Sequence, residues 1–481
     1  MAKGVVNIMD SGSQNTLTLG HILKEFDQCA DLIHRTFPDI QTDIVYFPAI
    51  VDNTLFIKEI LEPFSRVQLQ EAEQLFKQSQ FLQVTDSKAA VIGILEGCVA
   101  VSHRDSIYLL NAYKPEARNV QQSETETIIA GPHDAFVESA LTNLSLIRSR
   151  IKSSHLKIRK YSIGEISKTS VYVLYIEDIA NLTFVEDLER RIQGIETDAI
   201  NDGGTLTQFI EDRPNSVFPQ FLTTERPDVA VSKLAAGRII TIIDNSPTVI
   251  SAPAAFFEFF SSPDDYYQRW TLGTALRLLR LLALIITITF TAMYVSVTTF
   301  HYEMIPEALL RTLAESRNKV PFPPVYEALL MEIMIELLRE AGARLPSKIG
   351  QTIGIVGGIV IGQAAVQAGL TSNVLIIAVA SSAIASFVIP SYMMSASIRL
   401  IRFGIIILTG IWGNMGLVMG IALIVIHLSN LTSLGSSYMI PVAPMKSADW
   451  KDVFIRAPFS MLRTRPSQAQ TSNTIRQKNR K

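Results

Sequence analysis

Residues 349–398 read IGQTIGIVGGIVIGQAAVQAGLTSNVLIIAVASSAIASFVIPSYMMSASI, without a single Asp, Glu, Lys or Arg. A helix that crosses a bilayer needs about 20 predominantly apolar residues, so this run is long enough for two. It sets the class as a polytopic membrane protein. The average over the chain, 481 residues with 48% hydrophobic and 18% charged content, conceals the division, because residues 1–248 carry charges every few positions. The predicted architecture is an α/β cytoplasmic N-terminal region of two small α/β domains, followed by an all-α polytopic membrane domain.

Outward from that run, Leu281–Phe300 is an uncharged stretch of spanning length, preceded by Tyr266, Tyr267, Trp270 and the cations Arg269, Arg277 and Arg280. Aromatic rings and cations of this kind collect at a membrane interface. Further spans are expected at 351–369, 374–394 and 403–427. Between them, residues 322–342 make an amphipathic acidic helix whose Glu332, Glu336, Arg339 and Glu340 share one face at about 100° per residue. Carboxylates are expensive in lipid, so this helix is expected at the interface or beside an aqueous cavity. Four spans return the basic tail to the side it started from, leaving Arg399 and Arg402 in a loop on the opposite side. If 322–342 also spans, those arginines and the tail exchange sides.

The N-terminal half divides into subdomains at 1–130 and 131–260, ahead of a transmembrane domain at 261–430 and a basic cytoplasmic tail at 431–481. In the first subdomain a helical pattern covers Leu17–Phe37, a strand Asp43–Phe47 and a helix starts at Thr54; Ala89–Leu95 reads as a buried strand before the hairpin Cys98–Val101 with Ile107–Leu110. In the second, a helix at Ala135–Lys152, strands at Leu156–Ser162 and Ser170–Ile176, helices at Val185–Gly194 and Thr205–Glu211, and strands at Arg238–Ile243 and Thr248–Ser251 alternate as an α/β domain does. Met1–Gln14 lacks the apolar core of a secretory signal, so this half is expected in the cytoplasm.

Enzymatic motifs are missing: there is no GxxxxGK[ST], GxSxG, HExxH or CxxC pair, and no GxGxxG between strand and helix. No catalytic residue, cofactor or metal site is expected. Cys29 and Cys98 read as structural thiols. Gly203-Gly204 is either a phosphate-binding turn or a helix N-cap. A net charge of −2 gives no nucleic-acid footprint.

The glycine-rich span is the richest element. Gly350, Gly354, Gly358 and Gly362 recur every fourth residue, a face that lets helices approach closely. Roughly opposite lie Thr352, Val356, Ile359, Val360, Gln363 and Gln367, a mixture suited to a water-filled pore with a hydrophobic gate or to interhelical packing glued by amides. Glu332, Glu336 and Glu340 either form an acidic vestibule or pair with Arg339 and Arg344.

The segments PFPPVYEALLME (321–332), ELLREAGARLP (336–346) and GQTIGIVGGIVIGQAAV (350–366), with DGGTL (202–206), TERPD (224–228), DNSP (244–247) and SPDDYYQRW (262–270) upstream, resemble the A-subunit family of bacterial spore germinant receptors, the GerA type, over residues from about 131 to 466. The resemblance implies a multi-pass protein of the spore inner membrane in contact with lipid. It also implies a transporter-like B subunit and a lipoprotein C subunit as partners. The A subunits would form a homo-oligomer around a path that releases monovalent cations when nutrient is sensed; a non-conducting scaffold or signal-transmitting subunit is the alternative.

Overall fold

The computed structural model describes residues 18–66, 72–104, 106–114, 126, 128, 130–345, 358 and 360–477. These divide into two compact units: one comprises the chain to Ser123 with Asp134–Leu206 and Thr223–Ile250, and the other Glu124–His133, Thr207–Leu222 and everything from Ser251.

The first unit contains two five-stranded sheets. Strands β1 (Ile33–Phe37), β2 (Thr42–Tyr46), β3 (Phe81–Val84), β4 (Cys98–His103) and β5 (Ser106–Asn111) are ordered β1-β2-β4-β5-β3, every neighbouring pair antiparallel. Alternation sends Ile44, Tyr46, Val99 and Val101 into one core and Val45, Phe47, Ala100 and Leu109 into another. Ala89–Leu95, expected as a strand, lies in the helix Ser87–Leu95, whose N-terminus is closed by the Asp86 carboxylate accepting from the Lys88 amide. A continuous apolar run is ambiguous between buried strand and buried helix, and the cap decides. The helical pattern over Leu17–Phe37 is likewise shortened to Leu19–Glu25, and Gln28, in the left-handed region at φ 61°, turns the chain toward β1.

The second sheet, β6 (Leu156–Ile163), β7 (Thr169–Ile176), β8 (Leu222–Thr224), β9 (Ile239–Ile243) and β10 (Val249–Ala252), runs β6-β7-β9-β10-β8; four of these strands lie close to the bounds read from sequence, and the short edge strand β8 was not read. The two sheets are tied by a buried bidentate ion pair, Arg148 to Asp31 at 2.9 and 2.9 Å. The same guanidinium lies 4.4 Å from the Phe47 ring centroid, and Ala30 and Ile158 backbones join at 2.8 Å. Cys29, whose thiol burial pushes its pKa up, donates to the Leu156 carbonyl; it is a packed core thiol.

The second unit is built on helices Trp270–Thr299 (entry), Pro324–Arg344 (acidic), Asn373–Phe387 (serine-bearing), Tyr392–Trp412 (arginine-bearing) and Asn414–Ser429 (last), with residues 360–367 also helical. The entry and arginine-bearing helices are long and apolar enough to cross a bilayer, and the serine-bearing and last helices are apolar but shorter. The stretches 374–394 and 403–427 are each interrupted. Pro390 ends one helix and Ser391 caps the next by accepting from the Met394 amide, and Gly413, at φ +59°, separates the final two. Arg399 and Arg402 therefore sit inside a helix rather than in a loop.

Contacts fix the helix directions. The entry helix leaves the end where Thr274 meets Arg456 and reaches a far end where Ser296 meets Asn414. The acidic helix returns antiparallel, Glu327 lying with Ser372 near the far end, then Glu332 with Thr291. Residues 360–367 lead to Gly369 beside Lys319, again near the far end. The serine-bearing helix comes back, the arginine-bearing helix goes out past Glu336 and then Glu332, and the last helix returns. The start of the entry helix and the tail consequently share one end.

A strap, residues 207–222, also belongs to this unit. Its Asp212 carboxylate accepts from the Thr432 hydroxyl and from the amides of Leu434 and Gly435 at 3.2 and 3.0 Å. The Val217 carbonyl accepts from Ser397, and the Gln220 carbonyl from Ser433.

Candidate functional site

The interior of the helical unit is charged while its outside is apolar. Leu278, Leu282 and Ile285 of the entry helix, Leu330, Ile333 and Leu337 of the acidic helix, and Val418, Leu423 and Ile426 of the last helix are exposed. Inside, Glu332 and Arg402 form an ion pair with both side chains at 0% exposure. An unpaired charge at that depth costs at least ~3 kcal/mol, so the pair and its hydrogen bonds must be made together.

Regular spacing builds the arrangement. Glu332 and Glu336 are one turn apart on the acidic helix, and Arg399 and Arg402 one turn apart on the arginine-bearing helix, so two cross-helix rungs form. In the second rung Arg399 Nε reaches Glu336 at 3.1 Å, and Arg339 approaches the other oxygen of Glu336 at 3.3 Å. Hydroxyls complete the cluster. The Thr291 hydroxyl donates to Glu332 at 2.8 Å and Arg402 donates to Ser382 at 2.7 Å. Arg399 donates to Ser395 at 2.9 Å and Arg339 to Ser386 at 3.1 Å. Four helices are thereby keyed to one another through polar groups, with three guanidinium charges facing two carboxylates. A smaller node near the far end joins buried Glu327 to Arg317 at 3.5 Å and to the Ser372 amide at 3.2 Å.

The three glutamates predicted as one stripe have three environments. Glu332 is buried in the first rung, Glu336 is part-exposed in the second, and Glu340 lies in water paired with Arg344. The sequence reading missed Arg399, Arg402 and their serine partners. The signal available to it was the matching one-turn spacing of acids on one apolar helix and cations on another.

Of the glycine-rich span, Gly350, Thr352, Gly354, Val356 and Ile359 lie outside the described residues. Among those described, Val360, Gln363 and Gln367 are exposed and share one face, whereas Ala365 is buried. A Cβ added at Gly358 meets nothing within 4 Å among the described residues, and at Gly362 the first contact is Ile376 at 4.0 Å. Gly203-Gly204 proves to be a capped helix start: Asp202 accepts from the Gly204 amide at 3.0 Å and from Ser246 at 2.6 Å. Burial opposes ionisation of Asp202, yet these donors hold its carboxyl below the ordinary value. The entry cations Arg277 and Arg280 are buried against Asp265 at 2.9 and 2.8 Å rather than splayed at an interface.

Comparison with known proteins gives a match to the family model described as Bacillus/Clostridium GerA spore germination protein over residues 20–468, which extends the similarity well ahead of residue 131. Spore germination protein GerQA of Bacillus cereus is 43% identical over 432 residues, 88% of this chain and 86% of that protein. The uncharacterized membrane protein YfkQ of Bacillus subtilis (strain 168) is 36% identical over 91% of this chain and 88% of its own. Among solved structures, the N-terminal domain of the A subunit of the Bacillus megaterium spore germinant receptor GerK3 matches with 25% identity and a TM-score of 0.40, covering 51% of this chain and 99% of that domain.

Proposed function

The chain belongs to the GerA spore germination protein family, and from that premise we propose that it is the A subunit of a spore nutrient-germinant receptor, several copies of which surround a path for monovalent cations through the spore inner membrane. Its partners in this reading are a transporter-like B subunit, a lipoprotein C subunit and further copies of itself. The N-terminal half and the tail both lie on the cytoplasmic side, which agrees with the shared end of the entry helix and the tail.

One observation carries the conducting role: Val360, Gln363 and Gln367 form an outward face left exposed among the described residues. Amide side chains are poorly matched to hydrocarbon, so in a membrane this face belongs against water or another copy. A water-lined path with Val360 at a dewetting constriction satisfies both. Thr352, Val356 and Ile359 continue the same face in sequence, and Gly350, Gly354, Gly358 and Gly362 offer a side for close approach by a neighbour. Part-exposed Glu336 and exposed Glu340 supply the acidic vestibule, while Glu332 holds the bundle together.

The test is resting potassium leak from liposomes carrying the full chain with its partner subunits. Val360→Ser wets the constriction and raises the leak without nutrient. Absence of conductance from the wild type under every nutrient and subunit combination overturns the channel and leaves a signal-transmitting scaffold.

A further inference from the structure

The tail beyond the last helix is folded onto the start of the entry helix. The Arg456 amide donates to the Thr274 hydroxyl at 3.2 Å, and the Arg456 guanidinium is sandwiched between the Tyr266 and Phe459 rings at 5.7 and 4.0 Å. Thr274 lies seven residues before Leu281, where the uncharged stretch begins. At about 1.5 Å per residue this is roughly 10 Å, within the headgroup layer of a bilayer whose core starts near Leu281.

At that level the tail exposes large apolar side chains: Trp450 at 39%, Ile455 at 48%, Phe459 at 49% and Met461 at 59%. The acids and bases of the same segment are sorted. Asp449 is turned inward and accepts from the Ser467 amide at 2.9 Å, and Asp452 accepts from the Tyr266 hydroxyl at 2.8 Å while facing Arg277. Lys446, Lys451 and Arg463 are exposed.

We infer that residues 446–463 form an interfacial foot that rests on an anionic leaflet, seating Trp450, Ile455, Phe459 and Met461 at the acyl boundary and Lys446 and Lys451 among lipid phosphates. This rests on the membrane reading above. Apolar anchors beside cations are the combination that binds such a surface, and Leu272 and Leu278 of the entry helix, which flank Thr274 in sequence, are exposed as well.

The experiment uses the full chain in vesicles of phosphatidylcholine and phosphatidylglycerol, in two single-tryptophan forms. Trp270→Phe with Trp412→Phe leaves Trp450 as reporter; Trp270→Phe with Trp450→Phe leaves Trp412, near the far end of the arginine-bearing helix. Brominated lipid is expected to quench most of the emission of both, with Trp450 shielded from aqueous iodide. Lys446→Glu with Lys451→Glu is expected to weaken the Trp450 quenching severalfold and leave that of Trp412 unchanged. Quenching of Trp412 alone, with Trp450 open to iodide, overturns the foot and frees the patch for a protein partner. Quenching of neither overturns the membrane reading itself. Undiminished Trp450 quenching in the double-Glu form overturns the phosphate contact. Met461→Trp with Trp270, Trp412 and Trp450 all replaced by Phe supplies a second reporter of the same foot.

Discussion

Arg402 owes its position to Glu332, and the reverse is equally true, since each charge without the other is stranded among four helices. Removing one partner of a buried pair costs about 3–5 kcal/mol, whereas replacing both by apolar groups of similar size is often close to neutral. Glu332→Leu is therefore expected to lower the detergent melting temperature of the full chain sharply, and Glu332→Leu with Arg402→Met to recover most of the loss. Equal loss in single and double variants would show that the hydroxyl network, not the ion pair, sets stability. His103 provides a second test in the other unit. Its ring is buried, with Nδ1 3.0 Å from the Thr42 hydroxyl, which itself donates to the Ile40 carbonyl, so Nδ1 carries the proton. Nε2 has no hydrogen-bond partner among the described residues. Burial and, secondarily, Arg104 push the imidazole below its usual 6.5. The unfolded chain then binds the extra proton more readily, so this contribution to stability is complete above pH 6.5 and shrinks as pH falls. His103→Phe is expected to flatten that dependence in urea melts between pH 7.5 and 5.5. Neither pairing was read beforehand. Sequence reasoning weighs each charge against lipid or water by itself, which sends Arg399 and Arg402 into a loop, and it has no access to partners far away in the chain.

Helix identity was easier to read than helix ends. The uncharged run 281–300 and the apolar stretch 374–427, charged only at Arg399 and Arg402, announced apolar helices, but the breaks at Pro390 and Gly413 were overridden by hydrophobicity, so two boundaries were displaced. Asp86 shows the opposite case: the capping carboxylate was visible, yet the run Ala89–Leu95 was read by its apolarity alone. Glycines on different helices make the packing testable. At Gly416 an added Cβ meets the backbone carbonyl carbon of Leu408 at 2.6 Å, and backbone cannot step aside cheaply. Gly416→Ala is expected to cost roughly 1–3 kcal/mol and reduce folded yield. Gly358→Ala, facing open space, is expected to leave the melting of the isolated chain unchanged and to act only on assembly. Cross-linking of the receptor in membranes measures the second effect, and a stability loss at Gly358 matching that at Gly416 would contradict it.

The two sheets expected in separate subdomains fall in one compact unit, but an α/β N-terminal half followed by helices was legible in strand spacing and in the uncharged runs 281–300 and 349–398. The return of residues 207–222 into the helical unit was not, because nothing local marks a prolinerich stretch as belonging to a partner encoded much later. A chain ending at 260 lacks every group that the strap bonds beyond that point. Thermolysin, which cuts ahead of apolar residues such as Phe221, is expected to cleave the strap rapidly in the shortened chain and slowly in the complete one, with fragments read by mass spectrometry. Equal protection in both would mean that the strap is held within the first unit.

Asp212 is separated from Thr432 by 220 residues. At a synthesis rate of about 5–20 residues per second, the ribosome needs roughly 10–45 s to make the second after the first. Throughout that interval the Thr432 hydroxyl and the Leu434 and Gly435 amides are not yet made, whereas every strand of the two five-stranded sheets, the last ending at Ala252, is made well before them. Assembly is thus ordered in time by the chain itself: the hairpin at 432–437 emerges long after the strap it bonds, and its arrival is what allows the early strap to close.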